Sequence, residues 1–261
     1  MRNDGGTRLK KDLNEDLIKD HHPEVIRKRS SLEPKRRNIS DAVLGGIDGC
    51  ITTFAVVSGS VGAGFPSFVA VILGFANLIA DGFSMAVSNY ESSKTEREYI
   101  ESIKKAEEMH IDQIPEGERE EIRQIFEAKG FSEELLEKIV DTITADKKIW
   151  LDVMLAEEHG LGKSSPKPAI SAGVTFVAFV SVGTIPLMPY VLPSLDMNQQ
   201  FAASALLAAA MFFLIGMLKS YVLEKPVFLS GLRTLLTGGA AAALAYFTAH
   251  FLREVFNIAI G

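Results

Sequence analysis

Between residues 77 and 110 the chain reads NLIADGFSMAVSNYESSKTEREYIESIKKAEEMH, with neither proline nor glycine after Gly82. Nothing in that run tells a helix to stop, yet it opens at the end of an apolar stretch and closes in acidic, water-seeking sequence. It predicts one continuous helix that leaves a lipid bilayer and enters water. Asp81, Ser84, Met85 and Ser88 lie in the apolar part, and Glu91, Glu96, Glu98, Glu101, Glu107 and Glu108 lie beyond it. A carboxylate in lipid costs about 2.5 kcal/mol or more and is generally retained for a function. Polar ligands in a span that runs on into an acidic rod point to cation capture coupled to cation passage.

Bulk composition does not separate a large soluble domain from a small polytopic membrane protein. The 261 residues are 47% hydrophobic and 23% charged, and mean hydropathy is only +0.16. These averages conceal segregation, because long uncharged runs alternate with highly charged ones. The single cysteine, Cys50, excludes an internal disulfide and a cysteine-based zinc or iron–sulfur site, and reads as a small packing residue. A net charge of −6 argues against nucleic acid as a partner. The first 40 residues contain no apolar stretch of the kind that makes a cleavable signal peptide.

The chain divides into a tail (1–40), two spans (41–90), an acidic helical module (91–165) and three more spans (166–261). In the tail, Leu9, Leu13 and Leu17 recur every four residues and suit a weakly amphipathic surface helix; His21 and His22 could bind metal, but read rather as adjacent histidines in a flexible tail. A basic cluster, Lys35, Arg36 and Arg37, precedes the first apolar run.

The first span, 42–64, carries Asp48 as its only charge, and Gly45, Gly46, Gly49, Ser58, Gly59, Gly62 and Gly64 permit close helix contact. A turn at Phe65-Pro66 leads into the second span, 67–90. At about 1.5 Å per residue, Asp48 lies roughly 10 Å above Asp41 and Met85 roughly 9 Å above Glu91, so the two share a depth. Their rotation about the helix axes is left open by spacing.

The module holds 20 of the 33 acidic residues. Pro115 suits the first turn of a helix, Gly130 a helix end, and Ser132 the N-cap of the next helix. Apolar stripes recur at Ile122, Ile125 and Phe126, then at Leu135, Leu136, Ile139, Val140 and Ile143, then at Ile149, Trp150, Val153 and Met154. A three-helix bundle propped on the long helix or on a second copy follows. Pro166 and Pro168 open a third span that ends in TIPLMPYVLP, and the fourth and fifth spans run over 200–223 and 228–252.

The expected fold is therefore all-α: a polytopic membrane protein with five transmembrane helices and a cytosolic three-helix acidic module between the second and third. The loops around Phe65 and at 194–199 contain no lysine or arginine, and Arg253 alone falls on their side. Basic residues thus place the N-terminus, the module and the Lys219-to-Lys225 turn in the cytosol.

Asp48 and Met85 together would offer a carboxylate and a thioether, a set leaning away from Mg²⁺ and Ca²⁺ towards Fe²⁺ or a neighbour. Simple packing of Met85 and a helix-to-helix hydrogen bond from Asp48 are the competing readings. In the module, Glu107 and His110 are three apart, Glu118 and Glu121 repeat that spacing, and Met154 and Glu158 are four apart. Three such pairs on three helices suit either a converging metal cluster or a solvated acidic face. Glu107-x-x-His110 is half of a di-iron carboxylate motif, whose second Glu-x-x-His is absent from the chain. No EF-hand, HExxH, Walker A or G-x-S-x-G pattern occurs.

DGCITTFAVVSGSVGAG, ADGFSMAVSNYESSKTE and IPLMPYVLP, with the acidic helices between them, resemble the vacuolar iron transporter (VIT) family over roughly residues 40–250. The patterns DG-x-x-TTFA, DG-x-SM and WLD-x-M carry the likeness. The resemblance implies a homodimer in a lipid bilayer, each subunit exchanging Fe²⁺ or a similar divalent ion for protons, with no permanently bound cofactor and no enzymatic activity. It implies Asp48 and Met85 as ligands of the translocation path, and Glu107, Glu118, Glu121, Met154 and Glu158 as cytosolic metal ligands. His110 stands where plant members have Glu, and Leu155 where they have a second Met. Mn²⁺, Co²⁺ and Zn²⁺ are further candidate ions. The membrane would be the cytoplasmic one in a prokaryote and a vacuolar-type one in a eukaryote. Two alternatives come from other classes: a membrane-anchored ferritin-like iron oxidase, and a metal sensor or scaffold that does not transport.

Overall fold

The computed structural model describes residues 18, 21–31, 36–162, 165–192, 194–223 and 226–256; Leu9, Leu13, Leu17 and Lys35 lie outside them. Residues 1–35 form one unit, in which a nine-residue helix, α1 (Pro23–Ser31), follows an exposed His21 and His22. Residues 36–261 form the other, and its described residues contain helices and no strand.

Five helical stretches in this unit are long and apolar enough to cross a membrane. The first is α2 (Arg36–Ala63), and a turn in which Gly64 adopts φ of +77° leads into α3 (Ser67–Gln113). That second helix runs 47 residues without a break, as the absence of breakers after Gly82 predicts. It is about 70 Å long, more than twice the roughly 30 Å of hydrocarbon in a bilayer. The third stretch is composite. Helix α7 (Pro168–Gly183) gives way to a 3₁₀ turn (Ile185–Leu187) and the short α8 (Met188–Val191). Pro186 and Pro189 cause this, because neither has an N–H to continue the ladder. Helices α9 (Met197–Leu223) and α10 (Val227–Val255) complete the set.

Inside the bundle, Cys50, Val57, Leu78, Phe179 and Leu187 are wholly buried and form the membrane core. Outward, Phe68, Ile72, Phe83, Leu206, Leu244 and Phe247 are each more than half exposed, an arrangement suited to lipid rather than water. The small residues of α2 are used largely within the chain. A Cβ on Gly45 would stand 2.4 Å from the Thr175 carbonyl oxygen, and one on Gly49 would stand 2.4 Å from that of Phe179. Helices α2 and α7 thus touch backbone to backbone. This glycine stripe packs the fold itself, and so carries less weight for assembly with a second copy than its abundance suggests.

Between the second and third stretches lie α4 (Pro115–Ala128), α5 (Glu133–Thr144) and α6 (Lys147–Glu157), with α4 and α6 packed against the lower part of α3. Their core joins Ile111 of α3 to Ile122, Leu136, Val140, Ile143, Trp150, Leu151 and Met154. Leu135 and Ile149 depart from the expected stripes, at 55% and 47% exposed, because each lies at the edge of its apolar face. Pro115 begins α4, and Gly130 follows its end with φ of +93°. Ser132 stands at the α5 N-cap without making a capping bond; Asp146 caps α6 through the amides of Lys148 and Ile149.

Candidate metal sites

Helix α3 ends at Gln113, and Ile114 alone separates it from α4, so the chain reverses at once and carries Glu118 back against Glu107 and His110. His110 Nδ1 lies 3.4 Å from Glu118 Oε1 and 3.9 Å from Glu107 Oε1. Glu107 and Glu118 are 4% and 2% exposed, and Oε2 of each is buried with no hydrogen-bond partner. Leaving such an atom unsatisfied costs about 1–3 kcal/mol, and more when it is charged.

The electrostatics match that crowding. Burial, then the neighbouring Glu121 and Glu107, push the Glu118 carboxyl up to about 7. Burial and Glu121 likewise raise Glu158 above the usual carboxylate range, and Glu121 also hydrogen-bonds it. A divalent cation would satisfy the orphaned oxygens and relieve the repulsion together. The donor set of carboxylates and imidazole fits a first-row transition ion.

One participant escapes a search by helix spacing. α6 ends at Glu157, and beyond it His159 turns back so that its Nε2 lies 3.1 Å from Glu107 Oε1 and 3.8 Å from Glu158 Oε2. Gly160, with φ of +64°, permits this exit. The signal available in the sequence was Glu158-His159-Gly160 directly after a helix. The structure thus gathers Glu107, His110, Glu118 and Glu158, adds His159, and leaves Glu121 more exposed at their margin. Met154 is wholly buried in the same apolar cluster as Ile122 and Trp150.

In the span region, Asp48 on α2 is half-buried and lies within electrostatic reach of Asp81 on α3. Met85, one turn further along α3, is half-buried and packs against the membrane core. Asp81 therefore joins Asp48 as a second acid of the hairpin.

The sequence pattern of the VIT family matches residues 39–250. Vacuolar iron transporter 1 of Oryza sativa subsp. japonica is 32% identical over 227 residues, 87% of each chain. The vacuolar iron transporter of Toxoplasma gondii (strain ATCC 50861 / VEG) is 29% identical over 253 residues, 94% of this chain and 82% of its own. That of Plasmodium falciparum (isolate 3D7) is 32% identical over 200 residues, 73% of each chain. With five membrane-length apolar helices and a family match reaching across them, this chain is an integral membrane protein and belongs to the VIT family.

Proposed function

We propose that the chain carries divalent transition-metal ions, Fe²⁺ foremost, out of the cytosol in exchange for protons. One observation carries the reading: a single unbroken helix bears Glu107, whose Oε2 is buried without a partner, towards one end, and Met85 and Asp81, the latter within electrostatic reach of Asp48, in its membrane part. The relatives' names support iron as cargo, and the distribution of basic residues supports a cytosolic module.

In this scheme the module collects the ion from the cytosol, and the span acids and Met85 receive it. Protons compete for the same carboxylates and imidazoles, so acid on the far side favours release. Asp48, Thr52 and Ala55 on α2 are only half-buried within one chain. A carboxylate turned towards lipid is costly, which supports a homodimer whose second copy covers this face and lines the pathway. Cross-linking of Leu44→Cys in a Cys50→Ser background tests the dimer, and monomer alone at this and neighbouring positions would count against it.

Proteoliposomes loaded at acidic pH and offered Fe²⁺, Mn²⁺, Co²⁺ or Zn²⁺ from neutral buffer test the transport. Uptake that depends on the pH gradient is expected, and metal binding without flux would identify a sensor or scaffold instead. A membrane-anchored iron oxidase gains one supporting feature, since His159 supplies the second imidazole that the motif lacks. Oxygen consumption by the purified protein on addition of Fe²⁺ would identify that activity.

A further inference from the structure

A cavity of about 300 Å³ opens where α2, the end of α9 and the start of α10 meet, and it shares no residue with the acidic cluster. Its walls combine two kinds of side chain. Ile47 and Ile51 of α2 and Leu229 of α10 are apolar, whereas Lys219 of α9 and Arg233 of α10 bring two positive charges. No acid is among the described residues that line it.

Both cations stand inside membrane-length helices. Lys219 lies before the last turn of α9 and Arg233 beyond the first turn of α10, roughly 6 Å and 9 Å from helix ends joined by one turn. Helix α9 has no other charged residue, and α10 has none between Arg233 and Arg253. A cation at such a depth is costly unless it reaches the interface or meets an anion. Pro226 and Ser230 also line the cavity, which sets it at the N-terminal, positive end of a 29-residue helix dipole. The Thr234 and Thr237 hydroxyls donate to carbonyls of their own helix, at 3.1 Å and 2.9 Å, so the guanidinium and the ammonium are the strong donors left for a ligand.

We propose that this cavity takes the phosphate of an anionic phospholipid, in the leaflet on the side where α2 begins. Lys219 and Arg233 pair with the phosphate, and the glycerol and first acyl carbons lie on Ile47, Ile51 and Leu229. That apolar wall selects a lipid over free phosphate, which would leave it facing water. Ile47 and Ile51 flank Asp48 in the sequence, so a bound lipid braces the helix that carries this acid. The site is independent of the cargo and of the module's metal.

The test uses the delipidated full chain in detergent, titrated with phosphatidylglycerol or phosphatidylcholine and followed by native mass spectrometry and thermal melting. Phosphatidylglycerol should bind about tenfold more tightly and raise the melting temperature more. Lys219→Gln with Arg233→Gln should abolish that preference. Leu229→Trp, which fills the cavity and keeps both cations, should weaken phosphatidylglycerol binding as well, and Arg253→Gln, near the opposite end of α10, should leave it unchanged. Equal binding of the two lipids by the parent, or a preference retained in the double variant or in Leu229→Trp, overturns the proposal. Displacement of the bound lipid by millimolar inorganic phosphate overturns the lipid assignment in favour of a soluble anion.

Discussion

Asn89 donates its side-chain amide to Asp41 at 3.0 Å and so ties the second span to the first. The same nitrogen lies 2.6 Å from Thr175 Oγ1, which adds α7 to the junction. Asp41 is 8% exposed and its other oxygen has no partner, so this amide is a main source of its stabilisation. Asn89→Ala should destabilise the fold by about 1–2 kcal/mol, and Asn89→Asp, which sets a second acid beside Asp41, should cost more. Thermal melting in detergent checks both, and two unchanged curves would remove the junction's importance.

Replacement of Asp48 or Met85 by Ala should abolish flux while leaving the module's metal binding in place. Their side chains lie in the membrane part of the fold, away from Glu107 and Glu118. Proteoliposome uptake paired with equilibrium binding on the same preparation separates the two effects. Full flux in properly inserted Asp48→Ala protein would be incompatible with a role in the path.

Through Glu118, the metal-free chain should lose stability as pH rises. Glu118 has its carboxyl raised from 4.5 to about 7 in the folded state. The folded protein therefore holds this proton more tightly than the unfolded one. The stability so gained is fully present below pH 4.5 and is lost as pH rises through about 7, a difference of about 3 kcal/mol at most. Metal binding runs the opposite way, since it requires the deprotonated acid. Melting at pH 5.5 and pH 8, with and without Fe²⁺ under anaerobic conditions, should show the metal-dependent gain growing with pH. Glu118→Gln should flatten the metal-free dependence.

Changing Glu107, Glu118, Glu121 and Glu158 together to Gln keeps their size and removes their charge. At about 100-fold excess over Kd a bound ion stabilises by about 2.7 kcal/mol, and the quadruple variant should lose that gain and transport more slowly. An equal shift in melting temperature for parent and variant would reduce these acids to a solvated face.

Gly49→Ala should be poorly tolerated, because its new methyl would meet the Phe179 carbonyl oxygen at 2.4 Å. Gly239→Ala, on a part of α10 with nothing within 4 Å, should be neutral or gain up to about 1 kcal/mol of helix propensity. Yield of folded protein and melting temperature compare the two.

Much of this architecture is legible in the sequence because its determinants are local. The unbroken α3 follows from the absence of Pro and Gly after Gly82, whereas the sequence placed Pro186 and Pro189 at the end of the third span without showing that they break it into two helices. The approach of Glu107, His110 and Glu118 was one of two readings that spacing left open, because the one-residue joint at Ile114 that folds α4 back onto α3 is visible only in the fold. His159 was not accessible, since it acts after its helix has ended and its position depends on a loop. The pairing of Asp48 with Asp81 depends on how α2 and α3 are rotated, which depth along the axes leaves open. The partners of Gly45 and Gly49, more than a hundred residues away on α7, depend on the bundle's order of contact.

Helix α3 has no joint between the end that holds Glu107 and the part that holds Met85. It is a lever. A rod of about 70 Å that tilts by about 5° around one end sweeps the other through about 6 Å, more than the rise of a full helical turn. In the proposed scheme, small adjustments of the module as its acids close on an ion would therefore reach the bilayer as whole-helix displacement.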